Sequence, residues 1–185
     1  MPSVNLVPHP DTTRFEALQL RANVGISPLM ALDIQFVLKG NIDKLRIPGD
    51  SVPRRADNLW QHTCFEVFIA TPQSERYLEF NVAPSSEWAI YQFDSYRGGM
   101  AAIEVTPPII STNRSHNHLA VNVAVDLRLF PALHNDNELR VALSAVIENS
   151  AGDLSYWALA HPPGKPDFHH RDSFALTLNP LKNSL

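Results

Sequence analysis

The chain has 185 residues, which fits one ordinary domain and is long enough to bury a core without disulfides or a structural metal. Its formal net charge of −4 argues against a general nucleic-acid-binding protein, because such proteins carry a basic stripe. The single cysteine, Cys64, excludes an internal disulfide and a cysteine-based zinc site.

Hydrophobic and polar residues alternate along most of the chain, which predicts strands with one buried face. The alternation is clearest at residues 30–39 and 119–129. It is weaker, in chain order, at residues 15–20, 59–70, 77–83, 88–93, 102–110, 140–148, 154–160 and 174–178. No window of a dozen residues forms a clean amphipathic helix, and one helical turn is expected near residues 55–58. The pattern predicts one all-β domain over residues 1–185, an antiparallel, jelly-roll-like β-sandwich of about ten strands with little helix.

Residues 59–70 and 77–83 form a predicted hairpin, because the connection between them is short. Odd-numbered residues of the first strand and even-numbered residues of the second are apolar and are expected to face the core. The opposite face would then gather six polar or aromatic side chains: Trp60, His62, Glu66, Tyr77, Glu79 and Asn81.

Aromatic rings beside carboxylates and an amide suit a polar, ring-shaped ligand such as a sugar, which offers C–H faces for stacking and hydroxyls for hydrogen bonds. The same face could equally be an ordinary solvated face, or an inner face with a buried polar network. Two observations favour a binding site: neighbouring acids repel unless partnered, and Trp60 is costly to leave in water. Arg76 and Arg97 are available as partners for the acids.

The segment at residues 155–174 is a second candidate region. Trp157 and His161 share a side of a strand that must end at the following Pro-Pro-Gly. The loop beyond could form a binding rim from charged, imidazole and aromatic side chains: Lys165, Asp167, Phe168, His169, His170 and Arg171. Alternatively, Asp167 and Arg171 pair locally within a proline-stiffened connection.

Catalytic and metal chemistries are weaker alternatives. Glu66 and Glu79 could serve as the acid/base pair of a glycosidase if their carboxyl groups lie about 5–10 Å apart. His116, His118 and the 169–170 pair are possible metal ligands, but no recognisable ligand spacing accompanies them, and we predict no metal site. The sequence contains no GxSxG, P-loop or Rossmann glycine motif.

Three segments resemble a bacterial DOMON-like domain, a group related to the family 9 carbohydrate-binding modules. They are DNLWQHTCFEVFIA (residues 57–70), YLEFNVAPSSEWAIYQFDSYRGGM (77–100) and WALAHPPGKPDFHHRDSFAL (157–176), which together make up about a third of the chain. The resemblance implies a β-sandwich of about ten strands that binds a ligand without catalysing a reaction. Relatives bind sugars through aromatic residues, or haem through axial Met and His ligands.

Carried onto this chain, the resemblance places Trp60, Glu66 and Arg97 nearest a sugar site. It also implies that two of the three tryptophans, Trp60, Trp88 and Trp157, form a clamp. For haem, it implies Met100 paired with His161, His169 or His170. We therefore expect a non-catalytic module that binds a carbohydrate or similar polar small molecule and holds no cofactor. A haem-binding electron-transfer domain and a glycoside hydrolase are the alternatives.

The expected location is the cytosol. Residues 1–13 lack the basic start and apolar core of a signal peptide. No apolar run approaches the 18 or so residues that a membrane-spanning helix needs. We accordingly expect neither a membrane nor a nucleic-acid partner.

Overall fold

The computed structural model describes residues 1–13, 15, 17–134 and 138–179, and it contains thirteen strands. Short 3-10 turns are the only helices in these residues. This confirms the all-β prediction. The strands are β1 (Ser3–Pro8), β2 (Gln19–Ile26), β3 (Ala31–Lys39), β4 (Arg54–Arg55), β5 (Cys64–Ala70), β6 (Tyr77–Val82), β7 (Glu87–Phe93), β8 (Ala101–Ala102), β9 (Ile109–Ser115), β10 (His118–Asp126), β11 (Leu139–Glu148), β12 (Leu154–Ala158) and β13 (Leu176–Leu178).

Two sheets share one strand at a corner. The first sheet has the order β1-β2-β3-β10-β9, and the second has the order β4-β7-β6-β5-β11-β12, with β13 beside β11 and β8 beside β7. Residues 3–6 of β1 pair with β2, whereas Val7 and Pro8 pair with β12, so β1 connects the sheets. All pairings are antiparallel except that of β4 with β7. The predicted hairpin of β5 and β6 is confirmed.

The main core lies between the two sheets, where the apolar sides of the strands meet. In β3 the even-numbered residues are buried, and in β10 the odd-numbered ones, as the period of two predicts. Phe36 of β3 lies against Phe65 of β5 with ring centroids 4.9 Å apart. Each such fully buried large side chain stabilises the fold by about 1.5–3 kcal/mol. Trp88 and Trp157 also belong to this core.

A second apolar cluster covers the side of the second sheet that faces away from the core. Phe68, Tyr77 and Phe93 from the strands pack there against Phe168 and Phe174. The last two come from the connection between β12 and β13, residues 159–175, which we call the 159–175 loop. Both sides of the second sheet are therefore buried, and β6 is buried along its whole length. We call the side under this loop the covered face.

Several predicted strand boundaries are wrong, for local reasons. The chain enters β5 only at Cys64, because Asn58 adopts a left-handed conformation (φ 61°) and starts a 3-10 turn at Leu59–Gln61. The expected helical turn thus lies just after residues 55–58. The strand predicted at residues 119–129 ends at Asp126, whose side chain accepts a hydrogen bond from the Arg128 amide and begins another 3-10 turn. Within the described residues, no helix is long and apolar enough to cross a membrane.

Candidate functional site

The register of the second sheet brings four of the six predicted hairpin residues onto the covered face. Glu66 of β5 lies directly opposite Asn81 of β6 on one side and Ser144 of β11 on the other. One row further along, Glu79 lies opposite Phe68 of β5 and Tyr91 of β7. Tyr77 occupies the next row, opposite Ala70 and Phe93. The expectation that Glu66, Tyr77, Glu79 and Asn81 share one face is confirmed.

Trp60 and His62 lie outside strand β5. Both lie in or beside the 3-10 turn that precedes β5, where strand alternation does not apply. Trp60 is 49% exposed. The His62 Nδ1 atom lies 2.8 Å from Glu148 Oε2, at the end of β11. The strand alternation that predicted their side does not reach these two residues, because the strand is shorter than its sequence pattern suggests.

The 159–175 loop seals the covered face mainly through His169. The imidazole packs edge-on against Phe68 and Phe93, with centroid distances of 5.1 Å to both, and against Tyr77 at 5.8 Å. Phe174 adds contacts to Phe68 and Tyr77 at 6.2 and 5.9 Å. Edge-to-face pairs of this kind contribute about 0.5–1.5 kcal/mol beyond area burial. The loop is therefore part of the packed structure.

A hydrogen-bond chain fixes the state of His169. The Arg97 amide donates to the Tyr77 hydroxyl at 3.1 Å, and this hydroxyl lies 2.8 Å from His169 Nδ1. The ring bonds the hydroxyl through Nδ1, which leaves Nε2 as its other polar atom. That atom lies 3.9 Å from Glu79 Oε2. Burial, and then the charge of Arg97, lower the pKa of His169 to about 4, so the ring is neutral near pH 7.

A second anchor holds the loop from the solvent side. Asp167 accepts a hydrogen bond from Arg97 Nη2 at 2.9 Å, one from the Tyr96 hydroxyl and one from the His169 amide at 3.1 Å. Burial alone would raise the pKa of Asp167, but Tyr96 and Arg97 hold it below its usual value. Arg97 therefore pairs with Asp167 and forms no ion pair with the buried acids. Arg76 pairs with Asp94, with 3.3 Å between Nε and Oδ1.

The two acids of the covered face are buried, and no cationic side chain among the described residues is bonded to them. Glu66 is 4% exposed and Glu79 is 6% exposed. Burial, and next the negative charge of Glu79, raise the pKa of Glu66 well above its usual value. Burial likewise raises the pKa of Glu79, against the opposing effect of a 2.7 Å hydrogen bond from Asn81 Nδ2. Both carboxyl groups thus favour the protonated form.

The row formed by Asn81, Glu66 and Ser144, which we call the polar row, has hydrogen-bonding capacity left over. Asn81 Oδ1 and Ser144 Oγ are buried and have no hydrogen-bond partner among the described residues. Such atoms cost about 1–3 kcal/mol each unless a ligand or water satisfies them. The arrangement can accept hydrogen bonds from hydroxyls at Asn81 and donate them from protonated carboxyls.

An open cleft of about 880 Å³ lies at the side of the covered face. Two of the predicted site residues, Tyr77 and His169, line it, and Tyr96 is 57% exposed in its wall. The rest of the lining comes from the β5–β6 connection, β11 and the loop: Ala70, Thr71, Pro72, Ser74, Glu75, Ser95, Arg140, His170, Arg171, Asp172 and Phe174. Rings thus stand beside hydroxyl, carboxylate and guanidinium groups.

Sequence analysis did not single out several of these lining residues. Tyr96 lies in the turn after β7, and Glu75 lies in the β5–β6 connection. Neither segment is a strand, so hydrophobic alternation cannot predict which way their side chains face. Arg140 begins a strand that the pattern does predict, and its guanidinium donates to the Phe174 carbonyl at 2.9 Å. The signal that could have found Tyr96 is its position directly before Arg97-Gly98-Gly99, since such turns often carry binding residues.

The other predicted residues lie outside the cleft. Trp88 and Trp157 are 4% exposed, so neither offers a ring to a ligand from solvent, and Trp60 is the exposed tryptophan of the three. Trp157 also borders a smaller cleft of about 460 Å³ near β1 and β2. Lys165 is exposed on the 159–175 loop.

The residues considered for haem or metal ligation are engaged elsewhere or scattered. His161 Nε2 lies 2.9 Å from the Val7 carbonyl, and its ring packs edge-on against His9. His170 Nδ1 accepts the Asp172 amide at the start of a 3-10 turn. Met100 is exposed. In residues 1–13, 15, 17–134 and 138–179, no group of three or more His, Cys, Asp or Glu side chains is arranged to hold a metal ion.

Comparisons with known proteins give the fold class. No protein-family model and no curated protein matches the chain. A solved candidate carbohydrate-binding protein from Bacteroides uniformis matches 96% of this chain and 85% of its own, with a TM-score of 0.67 at 12% identity. A family 9 carbohydrate-binding module from Caldicellulosiruptor kristjanssonii, solved with glucose and with cellotriose, matches 95% of this chain with TM-scores of 0.56 at 9% identity. These matches cover 83% and 82% of the module. The chain thus has the β-sandwich fold of family 9 carbohydrate-binding modules.

Proposed function

We propose that this protein is a non-catalytic module that binds a carbohydrate or a similar polar small molecule in the cleft beside the covered face. The observation that carries the proposal is the composition of that cleft, in which the exposed ring of Tyr96 stands beside hydrogen-bonding side chains. The fold supports it, since the module of the same fold from Caldicellulosiruptor kristjanssonii was solved with glucose and with cellotriose. The finer assignment to DOMON-like domains and the cytosolic location stay predictions.

The cleft has the chemistry that a sugar ring needs. Its volume of about 880 Å³ falls within the usual range for small-molecule sites. The Tyr96 ring can stack on the C–H face of a sugar, while Ser74, Glu75 and Arg140 can bond its hydroxyls. Tyr77 and His169 form the inner part of the lining, next to the buried acids. Arg97 and Asp167 act behind Tyr96 by fixing the tyrosine that a ligand would contact.

The packing over Glu66 and Glu79 supports binding over hydrolysis. A glycosidase places the scissile bond between its two carboxyl groups. Here both carboxyl groups are almost fully buried, and His169 occupies the space next to Glu79. A sugar in the open cleft would meet Tyr77 and His169 before either acid.

Isothermal titration calorimetry against glucose, cellobiose, cellotriose and a panel of other neutral sugars tests the proposal. We expect Tyr96→Ala to weaken binding at least about tenfold, because it removes the stacking ring. Tyr96→Phe keeps the ring but loses the bond to Asp167, so it should retain most of the affinity. Trp60→Ala is the matched control, because it removes an exposed aromatic ring outside the cleft.

Two results would overturn the proposal. One is a panel in which no sugar binds the wild-type protein. The other is binding that survives Tyr96→Ala but is lost in Trp60→Ala, which would place the sugar at the 3-10 turn before β5.

A further inference from the structure

A cluster of charged side chains lies at the end of β11, away from the cleft, and centres on Glu148. This carboxylate is buried, and each of its oxygens has one basic partner. Arg46 Nη1 donates to Oε1 at 2.8 Å, and His62 Nδ1 lies 2.8 Å from Oε2. The two basic side chains are themselves largely in solvent, with Arg46 64% exposed and His62 58% exposed. One buried acid therefore holds two exposed bases side by side.

The backbone around this cluster is rigidly tied together. The Arg46 amide donates to the Glu148 carbonyl at 2.8 Å. The hydroxyl of Thr63, a fully buried residue, donates to the Arg46 carbonyl at 2.7 Å and accepts from the Glu148 amide at 3.0 Å. Three distant chain segments thus meet at one point. A pair of side chains mounted on such a frame loses little conformational entropy when it binds a ligand.

The cluster keeps polar atoms of both basic side chains free for a ligand. One cation is enough to balance the negative charge of the Glu148 carboxylate, and Arg46 provides it. Glu148 fixes the proton on His62 Nδ1, which leaves Nε2 as the free polar atom of an exposed ring. An oxyanion placed against this ring favours its charged form, in which Nε2 also donates. Arg46 has further N–H donors beyond the one bonded to Glu148.

We propose that Arg46 and His62 form a second binding site, which takes an oxyanion group: a phosphate, a phosphate or sulfate ester, or a carboxylate. Arg46 bonds one oxygen of the group and His62 Nε2 another, while Glu148 positions both side chains. Planar guanidinium groups are well suited to such anions. The site shares no residue with the cleft and does not depend on the proposed function.

The test uses inorganic phosphate as the probe, followed by NMR of the side-chain signals of Arg46 and His62 at constant ionic strength. We expect saturable shifts of both residues with phosphate and none with an equal addition of chloride. Arg46→Gln and His62→Gln should each weaken binding at least about tenfold. Glu148→Gln should weaken it as well, because it releases both bases.

Arg128→Gln is the matched control. Arg128 is 66% exposed and pairs with Asp126 at 2.7 Å, so it resembles Arg46 in exposure and pairing, but among the described residues no histidine bonds its partner acid. Its removal should leave phosphate binding unchanged. Arg46→Lys keeps the charge and tests whether the planar group matters; it should bind more weakly than the wild type and more tightly than Arg46→Gln.

Phosphate shifts that persist unchanged in Arg46→Gln, or that fall equally in Arg128→Gln, would overturn the proposal and leave the cluster a structural ion pair. Melting temperatures without phosphate identify any variant that fails to fold. Glucose 6-phosphate and glucuronate, each compared with glucose, then separate an ester from a carboxylate as the preferred group. Tyr96→Ala should leave phosphate binding intact, so failure of the cleft and failure of this site are distinguishable.

Discussion

The outer faces of the two sheets both carry polar side chains in cross-strand rows, but the chain covers only one of them. On the first sheet, Asn23 donates to Gln35, Gln35 donates to Asn122, and Asn122 donates to Ser111, at 3.0, 2.8 and 3.2 Å. This amide ladder crosses four strands and stays partly in solvent. On the second sheet the corresponding row, formed by Asn81, Glu66 and Ser144, is buried.

The difference shows how one alternation pattern can have two physical outcomes. In the amide ladder each amide side chain bonds its neighbour in the register, and water can complete the remaining bonds. In the polar row, by contrast, Asn81 Oδ1 and Ser144 Oγ have no partner among the described residues, and burial raises the pKa of Glu66 well above its usual value. The polar row is thus sealed by packing, whereas the amide ladder stays in contact with water.

Truncation of the covered apolar cluster should have the largest effect of the changes considered for these two faces. Phe68 is fully buried beneath His169 and Phe174. Phe68→Ala should lower the free energy of unfolding by about 3–5 kcal/mol, the usual cost for a core phenylalanine. Urea denaturation measures it. A cost below about 1 kcal/mol would mean that the loop does not hold the face closed in solution.

Acid should destabilise the covered face through His169. Its pKa in the folded protein is about 4, whereas an unfolded histidine titrates near 6.5. Between these values only the unfolded chain binds the proton, so the free energy of unfolding falls as the pH falls, by about 3 kcal/mol in all. His169→Gln should lose this component when its urea denaturation is compared with that of the wild type from about pH 7 to about pH 4. An unchanged pH dependence would contradict the assignment.

Glu66 should make the stability depend on pH in the direction opposite to that of His169. Because the pKa of Glu66 is raised, the folded protein keeps a proton that the unfolded chain loses, and stability falls as the pH rises through the folded-state pKa. Glu66→Gln cannot lose this proton. Its stability relative to the wild type, measured by urea denaturation, should therefore grow as the pH rises above about 4.3, the ordinary value for an unfolded glutamate.

The control for this prediction is Glu148→Gln. Burial alone would raise the pKa of Glu148, but Arg46 and His62 hold it below its usual value. The wild-type carboxylate therefore stabilises the fold above its unfolded pKa and loses this effect in acid. Glu148→Gln should cost stability near neutral pH and less in acid. The same sign of pH dependence in both variants would disprove the contrast between the two acids.

Interruption of the amide ladder should have the smallest effect. Gln35 is half-buried and makes two side-chain hydrogen bonds, one to Asn122 and one from Asn23. Water can replace both in Gln35→Ala, so the loss should be about 0.5–1 kcal/mol by urea denaturation. A loss of stability as large as that of Phe68→Ala would contradict the difference between the amide ladder and the covered face.

The strands and their faces were predictable because the period of two is a local property of the chain. The alternation at residues 30–39 and 119–129 correctly separated buried from exposed side chains in β3 and most of β10. The short connection between β5 and β6 correctly placed Glu66, Glu79 and Asn81 on one face. The alternation does not describe Trp60 and His62, because a single left-handed residue, Asn58, interrupts the pattern there.

Whether a polar face meets water, a ligand or another part of the chain was decided by the tertiary structure. Tyr77 and His169, which close the covered face, are 92 residues apart in sequence, and His62 and Glu148 are 86 apart. No periodicity reaches over such distances, since these contacts depend on how the sheets bring remote segments together. The amino-acid sequence by itself therefore determined the sandwich and the sidedness of its strands. Its folding in three dimensions created the cleft at Tyr96 and gave Glu148 its two basic partners.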